Sequence, residues 1–248
     1  MLGPQQRTPG VRNGEGIDGM RTFIVSRRQS WALLAAILIW AAMTQTADSQ
    51  SPAARDMLDA AARGNAVQLE KSIAGGAPLD PTDSAGQTPL LLAVQGNHLA
   101  AAEALIKAGS NINAQAANMD TPWLLAGALG RTDMLRLMIP RGPDLSIRNR
   151  FGGNALIPAC ERAHVDTVQL LLTTKIDVDH VNNLGWTCLL EIVILGDGGP
   201  RHVEVARLVL AAGANPNIAD KDGVSPLAHA NRKRQREIAQ LIAGAGGR

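Results

Sequence analysis

The sequence predicts an all-α fold built as a solenoid of about six repeats. Three observations predict it. The segments GQTPLLLA, MDTPWLLA, GGNALIPA, GWTCLLEI and GVSPLAHA open at residues 86, 119, 152, 185 and 223, so they recur 33, 33, 33 and 38 residues apart. A second set, IKAGSNIN, IPRGPDLS, LTTKIDVD and LAAGANPN, opens at 106, 139, 172 and 210 and keeps the same spacing. Finally, 46% of the chain is hydrophobic but only 2% is aromatic, with no Tyr. Ala and Leu must fill the core, which suits close-packed helices better than sheets.

Residues 1–47 read as a leader. Arg27 and Arg28 precede a 13-residue apolar run, Trp31 to Met43. A membrane span needs roughly 20 such residues, so the run fits a secretory signal peptide. Translation could start at Met20. Both Ala42-Met43-Thr44 and Ala47-Asp48-Ser49 offer small residues for cleavage, and SRRQSW partly matches a twin-arginine signal. An uncleaved anchor is the alternative. The expectation is export, to a bacterial periplasm by the style of the peptide, with no stable membrane span after cleavage.

The array then occupies 51–248. Its repeats run about 51–82, 83–115, 116–148, 149–181, 182–219 and 220–248. The first lacks a TPL segment, as a capping repeat does, and Ser51-Pro52 supplies its helix start. Thr88, Thr121, Thr187 and Ser225 cap the later first helices through their hydroxyls, and Pro follows three of them. Gly109, Gly142 and Gly213 end second helices where a left-handed residue is needed. The pattern has departures: Asn154 for Thr, Cys188 for Pro, Lys175 for the helix-ending Gly, Met119 for the hairpin Gly, and Pro140 late in a helix. In repeat five, Asp197 to Arg201 are five extra residues in the turn between helices.

These residues and their period resemble the ankyrin repeat, over about 51–248. The resemblance implies helix–turn–helix units joined by β-hairpins, whose tips and first helices line a concave face that grips partners. His98, His164 and His202 share one position, which is structural in the family. His180 falls on a hairpin and His229 on the last repeat's first helix.

Little points to chemistry. The leader's five arginines against two acids give it +3, so the body carries −1 of the net +2. That excludes an electrostatic case for nucleic-acid binding. No nucleophile, Walker or zinc-helix motif is present, and no catalytic residue, cofactor or metal is expected. The acidic residues read as mostly solvated. Cys160 lies eight residues past its repeat's opening and Cys188 three past its own. Helices stacked about 10 Å apart with a five-residue offset of about 7 Å leave the two as free, half-buried thiols. NRKRQRE (231–237) reads as solvation of the last repeat, with a lipid or nucleic-acid patch as the alternative.

The expected function is a non-enzymatic, monomeric scaffold that binds a protein partner, as a stabiliser, inhibitor or immunity-type protein. The expected face comprises Arg150, Phe151, Asn183, Leu184, Trp186, Glu161, Arg162, Gln87, Asp120 and Lys221, centred on Arg150, Phe151 and Trp186. Two alternatives stand beside it: an anion or small-ligand binder or enzyme using the Gly-rich insert 197–201, and an effector secreted to a host.

Overall fold

The computed structural model describes residues 51–248; the leader and its cleavage sites lie outside the described residues. Helices alternate in pairs along the chain: α1 Pro52–Ala62 and α2 Ala66–Ala74, α3 Pro89–Gln95 and α4 Leu99–Ala108, α5 Pro122–Ala128 and α6 Thr132–Met138, α7 Leu156–Glu161 and α8 Val165–Leu171, α9 Cys188–Leu195 and α10 Pro200–Ala211, α11 Pro226–Arg232 and α12 Arg236–Gly244. Each pair is one repeat. First helices pack on first helices and second on second down the stack, which makes a six-repeat all-helical solenoid.

The capping hydroxyls act as the sequence predicts. Ser51, Thr88, Thr121, Thr187 and Ser225 each accept the amide three residues on, at 3.1–3.3 Å. Asn154 does the same work for α7: its Oδ1 accepts the amides of Leu156 and Ile157. Its Nδ2 also donates to Asp177 O at 2.9 Å, a bond Thr has no donor arm to reach. Pro140 stops α6 at Met138 and leaves a 3-10 turn, Ile139–Arg141. Without a glycine at Lys175, the Thr173 and Thr174 hydroxyls donate to Leu170 O and Leu171 O at the end of α8.

The connecting hairpins are tight turns, and no strand is assigned among the described residues. Each is closed by a pair of backbone bonds, as in Asn182 N to Trp186 O and Gly185 N to Asn182 O.

Two expectations are corrected. The insert does not merely lengthen a turn. Pro200 and Arg201 become the first residues of α10, which reaches 12 residues, while Asp197 Oδ1 accepts Gly199 N and bonds His202 Nδ1. The second correction concerns the cysteines. Cys160 and Cys188 are fully buried and joined by a disulfide, Cα–Cα 5.6 Å. The 10 Å spacing belongs to helix axes, and Cα atoms ride about 2.3 Å outside them, so facing Cα atoms come far closer. The repeat itself shows which positions face. Gly127 and Ala155 are the counterparts of Cys160 and Cys188 one interface earlier, each 33 residues before. A Cβ on Gly127 would stand 2.6 Å from Ala155 O. The same two columns therefore meet at both interfaces, so adjacent first helices do not stack in simple register.

Two predictions follow from these bonds. Without reductant, alkylation of the denatured protein should label neither thiol; after reduction it should label both. Reduction should cost roughly 3–4 kcal/mol in urea unfolding, since the bridge closes a loop of 28 residues. An unchanged unfolding midpoint defeats that assignment. Asn154→Ala should destabilise by about 2 kcal/mol, losing both the cap and the Asp177 bond, while Asn154→Thr should lose less than half as much. Equal losses would show that the cap is not what Asn154 supplies.

Candidate functional site

Short polar side chains hold the hairpin tips rigidly. Asp83, Asn149, Asn182 and Asp220 stand at the same place in four tips. Each folds its Oδ1 over two backbone amides, two and four residues on, at 2.8–3.0 Å. This is the Asx-turn geometry that short carboxylates and amides favour. Repeat three has Ala116 there and compensates through Asn118, whose Oδ1 takes Asp120 N; Met119 keeps the left-handed turn that Gly makes in the other tips, at φ 66°.

Neighbouring tips are also bonded to each other. Ala117 N donates to Ala85 O, and Asn183 N donates to Phe151 O at 2.9 Å. Lys221 Nζ reaches Asn183 O, and Gln115 Nε2 reaches Arg148 O. His180 Nε2 bonds Gly152 O at 2.6 Å, a clamp on the preceding tip.

Most of the face read from the sequence comes together on this rail. The Arg150 guanidinium lies 4.6 Å from the centre of the Phe151 ring. Arg150 also acts on Asp120, where burial raises the carboxyl above its ordinary range against that pull. Phe151 is 52% and Leu184 51% exposed, on adjacent tips. Trp186 is half-buried against the core, where with Leu184, Ile194, Lys221, Asp222 and His229 it lines a hollow between repeats five and six.

Gln87 lies farther up the stack, its Nε2 on Gln95 Oε1 at 3.3 Å. Arg162 does not join the tips. It ends α7 and donates to Ala128 O at 2.6 Å, at the turn end of the repeat. At that end the insert supplies its own negative charge: Gly199 N and His202 hold the Asp197 carboxyl below the ordinary range, Gly199 first.

One groove residue was not legible by residue type. Glu191 is 4% exposed, not solvated. Its Oε1 accepts from Asn182 Nδ2 at 2.8 Å, while its Oε2 has no hydrogen-bond partner. Burial, then the neighbouring Glu161 carboxylate, pushes its pKa up to about 7. The repeat did hold a signal. Its column reads Leu92, Leu125, Pro158, Glu191 and His229, so charge enters an apolar column in repeat five. His229 repeats the arrangement, its Nε2 2.7 Å from Asp220 Oδ2. Among the described residues no helix is long and apolar enough to cross a membrane.

Known proteins share this architecture. The family described as "Ankyrin repeats (3 copies)" matches residues 57–149 and 123–220. The ankyrin repeat protein YahD of Escherichia coli K12 is 38% identical over 192 residues, 77% of this chain and 96% of YahD. An ankyrin repeat domain from Acinetobacter baumannii superposes with a TM-score of 0.75 at 44% identity, covering 77% of this chain and 98% of that one. The ankyrin repeat protein EF0377 gives 0.74 at 38% identity, over 77% and 97%. Repeat period, capped first helices, stacked interfaces and these likenesses agree, and the chain belongs to the ankyrin-repeat family.

Proposed function

We propose that the protein is an exported, non-enzymatic scaffold that binds a protein partner through its tips and first helices. One observation carries this reading. Phe151 and Leu184, each about half exposed, stand on adjacent tips joined backbone to backbone, with Arg150 laid over the Phe151 ring. Large apolar groups on a rigid frame bind at low entropic cost, and aromatic and Arg side chains dominate interface energetics. Repeat solenoids present extended surfaces of this kind, and the partner docks with little rearrangement of the frame.

Two features support export: the leader, with its basic start and short apolar run, and the Cys160–Cys188 bridge. A structural disulfide belongs to an oxidising compartment such as the periplasm.

The double substitution Phe151→Ala, Leu184→Ala tests the face. A partner that co-purifies with the wild-type chain from a periplasmic extract should be lost. Stability should stay within about 0.5 kcal/mol of wild type, because both side chains stand at the surface. Retained capture by a folded variant overturns the assignment of the tips.

A further inference from the structure

The floor of the groove beneath those tips holds a carboxyl group with one oxygen that the protein leaves without a partner. Glu191 projects from α9, and its counterpart in repeat two, Leu92, lies between Gln87 and Gln95, which bond to each other. Trp186 and Ile194 are the counterparts of that bonding pair, so they flank Glu191 in repeat five. One carboxylate oxygen is used by Asn182 and the other is unpartnered in a side chain 96% removed from solvent by its 4% exposure. Glu161, on the neighbouring first helix α7, adds a second negative charge.

Four of the cations on these repeats have partners elsewhere. Arg162 donates to Ala128 O, Lys221 to Asn183 O, and Lys233 to Ile194 O and Gly196 O. Arg150 lies on Phe151. Among the described residues, the ion pairs of the fold include neither Glu161 nor Glu191.

A buried acceptor without a partner is costly, and two like charges at one place repel. Both costs are relieved by a cation brought from outside. Trp186 and Ile194, which flank Glu191, line a hollow with Leu184, Asp220, Lys221, Asp222 and His229, and an apolar wall with polar groups opposite suits a long side chain that is greasy along its stem and charged at its tip.

From this we infer that the partner of the scaffold inserts an arginine or lysine, flanked by apolar residues, between Glu161 and Glu191 in the groove of repeats four to six. This rests on the scaffold reading and adds the chemistry of the partner to it. A planar guanidinium would take the free Glu191 oxygen and a Glu161 oxygen together, the geometry at which Arg excels. The lone Asn182 bond to Glu191 stays in place.

The probe is acetyl-Leu-Arg-Leu-amide, with acetyl-Leu-Gln-Leu-amide as its uncharged control, titrated into the full chain. Binding is followed by NMR of ¹³C-labelled Glu side-chain carboxyls. The Arg peptide should bind at least about fivefold tighter than the Gln peptide, shifting the Glu161 and Glu191 signals first. Glu191→Gln keeps the Asn182 bond and removes the charge, so the variant should melt no lower than wild type and should abolish the preference. Glu161→Gln should reduce it. Equal affinity for the two peptides overturns the inference, as does a preference that survives Glu191→Gln, because the carboxylate would then be only a buried acid filling the core. The two readings fail separately. Lost capture in the tip variant without any peptide preference keeps the scaffold and overturns the cationic insertion. A peptide preference with capture intact in the tip variant keeps the insertion and overturns the tips as anchors.

Discussion

The repeat array of the described residues depends on hydrogen bonds exchanged between neighbouring repeats. The first helices are too short to persist alone: α3 and α5 have 7 residues and α7 has 6. Their last carbonyls lack intrahelical donors, and at four of the five interfaces the next repeat supplies one; in repeat three the position is Arg131, whose buried Nε has no partner. His98 Nε2 bonds Ala62 O, His202 Nε2 bonds Glu161 O, and Gln235 Nε2 bonds Gly196 O. His164 sits in the same place, bonded to Ala128, and burial holds its imidazole below the ordinary range. The bond at this column is a donor reaching one repeat back, and Gln235 shows that imidazole is not required for it.

The opposite end carries a matching bond at four of the five interfaces; in repeat three the position is Ser146, whose hydroxyl turns to Asp144 instead. Asp80, Asn113, Asp179 and Asn217 each accept a backbone amide from the next repeat, at Asn111, Asp144, Asn215 and Arg248. With most interfaces tied at both ends, and neighbouring tips bonded to each other, the hairpin tips have little freedom to move. The exposed side chains on those tips are therefore fixed in relative position. A surface of apolar and charged groups held in that way loses little entropy when it is covered.

The sequence showed most of this frame because the period is long and the caps are chemically specific. Thr88, Thr121, Thr187 and Ser225 announce helix starts, and Asn154 announces one by substitution. What it hid has physical causes. The cysteine pairing is hidden because the spacing of helix axes overstates the distance between facing columns; Gly127 against Ala155 is the same pair of columns one interface earlier. Half of the Gly-rich insert was missed because Pro200 starts a helix as readily as it ends one, and Asp197 folds the loop onto itself. Glu191 was missed because a charged residue type suggests solvent, whereas its column, with Leu92 and Leu125, suggests burial. Phe151, Leu184 and Lys221 were placed together because tip positions repeat without drift. Arg162 was misplaced onto the groove because it follows Glu161 immediately, and one residue is enough to turn a side chain at the end of a short helix toward another face.

The disulfide and the buried carboxylate belong to one argument. Cys160 precedes Glu161 directly, and Cys188 lies three residues before Glu191, so the bridge ties α7 to α9 within a turn of each carboxylate. Two like charges on unlinked helices relieve their repulsion by moving apart, and the interface would open where they stand. Here that motion is closed off by a covalent bond buried in the interface. Burial first, and the Glu161 carboxylate second, raise the pKa of Glu191, and its Oε2 is left without a partner. A strained acceptor on a frame that cannot relax is a preorganised place for a cation, because the cost of holding it open has been met in folding and is not charged again on binding.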